Sequence, residues 1–181
     1  IAAPSANRFG KVSPTSALDV FEELSKFLNS KSDLIINDGT CAVGIESTII
    51  DCSSEIPTIL RPGAITDEMI STSLGKLEKQ HKSNLRVSGN MKSHYSPLAK
   101  ICFDRSQTYK GDGFLALSHY KTPNGYIRLA EPKSMVDFAK TLYASLRKAD
   151  KLKLKRILVY TPENSGIGAA IIDRLLKASN T

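Results

Sequence analysis

The sequence predicts a mixed α/β fold on three observations. From about residue 113 onward, strand-length apolar runs alternate with two amphipathic helical stretches. Before residue 72, short runs of β-branched residues follow a capped helical segment. The composition, 41% hydrophobic and 24% charged over 181 residues, suits a globular chain with material for one ordinary domain or two small ones.

The first stretch, to about Thr72, opens on a loop punctuated by Gly and Pro through Thr15. A helix is expected from about Ser16 to Leu28, with Ser16 as N-cap and Leu18, Phe21, Leu24 and Leu28 recurring at helical spacing. Leu34 to Asn37 reads as a short buried strand. Ser47 to Asp51 and Thr58 to Arg61 read as two more, joined by a turn at Ser53 to Pro57. Pro62-Gly63 closes the last strand, and Thr66 to Met69 reads as the start of a short helix.

The second stretch, residues 73–97, is polar and lysine-rich with little periodicity. It is longer than most connections within a domain and reads as a linker or a functional segment. The third, residues 98–181, holds strands expected at Gly113 to Leu117, Tyr126 to Leu129 and Arg156 to Tyr160. Helices are expected at Ser134 to Lys148, with Met135, Phe138, Leu142, Tyr143 and Leu146 on one face, and at Gly168 to Ala178. The order strand, helix, strand, helix calls for a mainly parallel sheet with helices packed on it.

The net charge of +7 is unevenly spread. Residues 1–70 carry five Lys/Arg against ten Asp/Glu, and residues 71–181 carry twenty against eight. Any attraction to RNA or nucleotides should therefore be strongest in the second half, although Lys148, Lys151, Lys153 and Lys155 read more readily as a solvated surface. Cys41, Cys52 and Cys102 form no C-x-x-C pair. A zinc site or disulfide framework is not expected, and reduced thiols fit a cytoplasmic protein. No apolar run reaches membrane-spanning length, so no membrane partner is expected. The chain begins on Ile1 without Met, which reads as a fragment.

The most distinctive chemistry lies at Pro4-Ser5-Ala6-Asn7, Gly10 and Ser13-Pro14-Thr15. Small residues let backbone approach a ligand, and the amides and hydroxyls offer neutral donors beside a helix N-terminus. A plain capped loop explains the same residues. Ser47-Thr48, after the Gly44 loop, could grip an amino acid or simply build a strand. Glu46 offers a general base, but nothing in the sequence pairs it with a second catalytic group. Arg61, at a strand end, suits a bidentate contact to phosphate or carboxylate, or a salt bridge to a nearby acid. His94-Tyr95 sits in the linker, as a shaped segment or a surface pair. Gly166-x-Gly168 reads as a helix-start turn rather than a phosphate loop. No metal-ligand cluster and no nucleophile–base arrangement stands out.

Taken together, the motifs resemble the Sua5/YrdC family, the threonylcarbamoyl-adenylate synthases. The matching pieces are A-A-P-S-A-N-x-x-G-x-x-S-P-T at Ala2 to Thr15, V-G-I-E-S-T-I-I-D at Val43 to Asp51 and I-L-R-P-G-A-I-T at Ile59 to Thr66. M-K-S-H-Y-S-P at Met91 to Pro97 is similar to the family's interdomain linker. The likeness continues through Leu142 to Asp150 and Gly166 to Leu175. It implies the rear half of a YrdC-like twisted α/β domain (1–72), a linker (73–97) and a small Rossmann-like, mainly parallel α/β Sua5 domain (98–181).

The resemblance also implies a reaction. Threonine's amine takes up bicarbonate to form a carbamate, which attacks the α-phosphate of ATP and expels pyrophosphate. Mg²⁺ would accompany the triphosphate. The product would pass to a threonylcarbamoyl transferase that modifies tRNA. Carried over by motif, Ser5, Asn7, Ser13 and Arg61 would contact the nucleotide, and the Ala3 backbone and Ser47 would contact threonine. His94 and Tyr95 would lie on a linker that closes over the nucleotide. The family's front half, with its basic K-x-R motif, has no counterpart here, so this polypeptide is expected to be inactive alone. Rival roles are an RNA-binding module with direct tRNA contact, or a docking module for the transferase.

Overall fold

The computed structural model describes residues 3–77 and 95–179. His94 and most of the expected linker lie outside the described residues.

Helix α1 (Ala17–Leu24) starts where expected, because the Ser16 side chain accepts the Asp19 backbone N–H, as an N-cap does. It ends early, in a 3₁₀ turn at Ser25–Phe27. The expected strand at Leu34 to Asn37 does not form: the segment is irregular, and Leu34 and Ile36 are each 89% exposed. A β-branched run becomes a strand only beside a pairing partner, and none of the described residues pairs with it. Leu18 and Phe21 of α1 also face outward, 60% and 58% exposed, against the expectation of a buried face.

Strands β1 (Ile49–Asp51) and β2 (Thr58–Arg61) form an antiparallel pair, with Ile50 opposite Ile59 and an irregularity between Ile49 and Ile50. Helix α2 (Asp67–Leu74) follows, capped by Thr66 and carrying Asp67 and Glu68 in its first turn, where acids favour the helix dipole.

The second sheet contains β3 (Lys100–Cys102), β4 (Gly113–Leu115), β5 (Ile127–Ala130) and β6 (Arg156–Val159). Its order is β3-β6-β4-β5, and every neighbouring pair is parallel. The expected parallel α/β architecture is therefore present. Helices α3 (Met135–Lys151) and α4 (Ile167–Ser179) pack on each other, α3 against β5 and α4 against β3. Ser134 caps α3 by accepting from Asp137, and Lys148 and Lys151 occupy its last turn. Phe138, Leu142, Tyr143 and Leu146 are buried on its inner face, as the spacing requires. Gly168 lies in the tight start of α4, where a Cβ would come 2.0 Å from the Glu163 carbonyl oxygen. This is a helix-start turn, as expected.

The two parts share one core. Val12 from the opening loop is buried among residues of α3, α4 and the parallel sheet, and Ile45 packs against the same cluster. Opposite charges also meet there. Arg147 of α3 lies 3.4 Å from Glu23 of α1, and Lys151 lies 2.8 Å from Glu22.

Candidate functional site

The opening loop is built by its own polar groups. Asn7 Nδ2 donates to the carbonyls of Arg8 and Lys11 at 2.9 and 3.0 Å, while its buried Oδ1 accepts from no partner. Gly10 takes a positive φ of 77°, and its carbonyl accepts the Ser96 backbone N–H at 3.0 Å, joining the loop to the chain entering the parallel sheet. Ala3 and Ser5 are exposed nearby along the chain. Ser13 is buried and donates to Glu46 Oε1 at 2.7 Å.

Glu46 is placed by Gly44, whose backbone presses against α3. A Cβ at Gly44 would lie 2.5 Å from Lys140 Cα, and its φ is 82°, so both space and conformation require glycine. The loop thereby delivers Glu46 to the two helices. Tyr143 OH on α3 donates to Glu46 Oε2 at 2.8 Å, and Arg174 Nε on α4 donates to the same oxygen at 2.9 Å. Arg174 is fully buried; its Nη2 donates to the Pro62 carbonyl at 3.0 Å, and its Nη1 pairs with Asp173. Three side chains, Ser13, Tyr143 and Arg174, thus converge on Glu46, none of which the sequence had placed beside it.

These contacts set its protonation. Burial alone would raise the Glu46 carboxyl pKa, but the Arg174 charge and the bonds from Arg174, Ser13 and Tyr143 outweigh it, holding it below the usual glutamate value. A carboxylate held ionised in this way is a poor proton shuttle. Burial, and then the Glu46 charge, push the Tyr143 hydroxyl well above the ordinary tyrosine value. The same two causes raise Tyr95.

Arg61 and Ser47, singled out separately in the sequence, meet. Arg61 Nε donates to the Ser47 carbonyl at 3.0 Å and Nη2 to Ser47 Oγ at 3.3 Å, with Arg61 only 6% exposed. Tyr95 is 1% exposed, has a φ of 61°, stacks on Tyr143 at a centroid distance of 5.5 Å, and lies 5.4 Å from the Arg174 guanidinium carbon. It anchors the start of the rear unit beside the Glu46 cluster. The structure therefore gathers Ser13, Ser47, Arg61 and Tyr95 around Glu46 and Arg174. Asn7 and Ser5 stay on the outer loop. Sequence reasoning missed the roles of Tyr143 and Arg174; the one available signal was an arginine beside apolar Ile171 and Leu175 on a buried helix. Among the described residues, no group of three or more His, Cys, Asp or Glu side chains could hold a metal ion.

Comparison with known proteins agrees with this architecture. The family described as "Threonylcarbamoyl-AMP synthase, C-terminal domain" matches residues 65–180, and the family described as "Telomere recombination" matches residues 1–63. The threonylcarbamoyl-AMP synthase of Bacillus subtilis is 30% identical over 99% of the chain and 57% of its own length. That of Schizosaccharomyces pombe is 29% identical over 99% and 52%. A solved structure of Pyrococcus abyssi Sua5 in complex with L-threonine superposes with a TM-score of 0.79 at 28% identity, covering 98% of this chain and 57% of that one. A P. abyssi Sua5 variant with adjacent His and Tyr replaced by Ala gives a TM-score of 0.82 at 27% identity, over 98% and 56%. The chain spans about half the length of the relatives it matches. With one family match running through most of its length and another through the remainder, the chain belongs to the Sua5/YrdC family of threonylcarbamoyl-AMP synthases.

Proposed function

We propose that this chain forms part of an L-threonylcarbamoyladenylate synthase acting in tRNA threonylcarbamoyladenosine synthesis. Threonine and bicarbonate condense to a carbamate with loss of water. A carbamate oxygen then bonds to the α-phosphorus of ATP, and the bond to pyrophosphate breaks. The chemistry asks for positioning and for positive charge near phosphoryl oxygens, and no protein nucleophile is needed. The observation that supports this reading is the Arg61–Ser47 contact, with Ser13 held to Glu46, the residue next to Ser47 in the chain.

The hydrogen bonds sharpen each role. Ser47 Oγ accepts from Arg61, so its own proton is free to donate to the threonine carboxylate. Ser13 spends its proton on Glu46, so it would accept from a ribose hydroxyl or base amine rather than donate to phosphate. Arg61 would face the phosphates, with Asn7 Oδ1 and Ser5 nearer the nucleoside and the Ala3 backbone near threonine. His94 and Tyr95 would complete the nucleotide side. Mg²⁺ would arrive on the triphosphate, whose phosphate oxygens are its natural ligands. The division into 1–72, 73–97 and 98–181 belongs to the same proposal. So does a cytoplasmic setting, which the free Cys41, Cys52 and Cys102 support. Among the described residues no helix is long and apolar enough to cross a membrane.

The test is pyrophosphate release by the full native polypeptide supplied with threonine, bicarbonate and ATP. Arg61→Ala should lower kcat/KM by about 100-fold, the scale of losing one charge-stabilising group. Unchanged turnover would remove Arg61 from the phosphate site. The exposed Lys148, Lys151, Lys153 and Lys155 support a secondary role in holding tRNA or docking the transferase. Titration with tRNA at two salt concentrations tests the RNA contact, and binding without salt dependence would dismiss it.

A further inference from the structure

Arg174 occupies an unusual position relative to the proposed pocket. It comes from α4, in the rear unit, yet its guanidinium reaches both segments that carry substrate contacts. Nε holds Glu46, the residue before Ser47, and Nη2 holds the carbonyl of Pro62, the residue after Arg61. Glu46 in turn holds Ser13 through its other oxygen and is steadied by Tyr143. A fully buried arginine that spends separate N–H groups on two chain segments fixes the distance between them, because the guanidinium is a rigid planar fork.

We propose that Glu46 and Arg174 form a brace by which the rear unit sets the spacing of the Ser13, Ser47 and Arg61 contacts. Both are positioning residues: each acts through a neighbour that would touch substrate. The rear unit thereby takes a direct part in shaping the substrate pocket. A simple stability role for a buried ion pair predicts something different. Replacing both charges with neutral groups of similar size would then restore the fold and leave substrate binding intact. The inference rests on the proposed function for its kinetic arm only.

The experiment uses the full native polypeptide and the double variant Glu46→Gln/Arg174→Met. This variant leaves no unpaired charge at the brace, whereas either single substitution strands a buried partner and endangers folding. The expected result is a KM for ATP and for threonine raised at least fivefold, with kcat within about threefold of wild type. Hydrogen exchange at residues 43–51 and 58–63 should accelerate at least fivefold, with the amides of α3 unchanged. KM values raised less than fivefold in the folded double variant, or unchanged exchange in those two segments, would overturn the brace. Wild-type protein without threonine-dependent pyrophosphate release would overturn the proposed function instead, and the exchange measurement would then decide the brace alone.

Discussion

The two parts of the molecule bury apolar surface to different extents. In residues 95–179, four parallel strands and two helices bury Phe114, Leu115, Phe138, Leu142, Ile157 and Leu175 almost completely. In residues 3–77, Leu18, Phe21, Phe27, Leu34 and Ile36 face outward. Part of what the first region does bury, Val12 and Ile45, it buries against the second. The comparison teaches that an apolar pattern states a demand for cover, while the available neighbours decide whether it is met. It also shows why part of the charge asymmetry is internal. Basic Arg147, Lys151 and Arg174 of the rear helices are paired with acidic Glu23, Glu22 and Glu46 of the front.

The largest expected effect separates the two regions by stability. Phe138→Ala should cost about 3–5 kcal/mol by opening a cavity in the rear core. Leu34→Ala should stay within about 0.5 kcal/mol, since that side chain is already in water. Urea denaturation of both variants checks the contrast, and equal costs would break it.

Next comes the contact between the regions. Arg174→Met should destabilise by about 3 kcal/mol because it strands Glu46 in a largely buried site, whereas Lys151→Met, on the exposed Glu22 pair, should cost less than about 1 kcal/mol. The same contact has a pH signature. Glu46 has a depressed pKa in the folded chain, so its contribution is fully present above the ordinary glutamate value of 4.5 and is lost as pH falls below it. Acid titration followed by hydrogen exchange at residues 43–51 should show this opening in wild type. Its absence in Glu46→Gln would assign the effect to this carboxylate. The smallest effect is local: Ser134→Ala should cost about 1 kcal/mol by removing the cap of α3. A thermal melt reads it.

Legibility in the sequence followed the range of the interactions. The bounds of β2, the Ser16 cap of α1 and the buried face of α3 were readable because caps and periodicity act over a few residues. Strand β3 was not: Lys100-Ile101-Cys102 is too short to show alternation, and its place is set by pairing with β6. Leu34 to Asn37 carried strand propensity with no partner among the described residues to realise it. At the site, Ser47 and Arg61 were singled out by residue type and position, but their direct contact depends on the β1–β2 register. The Glu46 cluster was invisible because Tyr143 and Arg174 lie 97 and 128 residues away in the chain. No local pattern announces a carboxylate's partners at that distance.

The measurement that tests the central claim most directly follows labelled bicarbonate through the full native polypeptide in the presence of ATP. The proposed site predicts label in an AMP-linked product that forms only when threonine is supplied and drops about 100-fold in Arg61→Ala. Label incorporated without threonine, or at the same rate in Arg61→Ala, would contradict it.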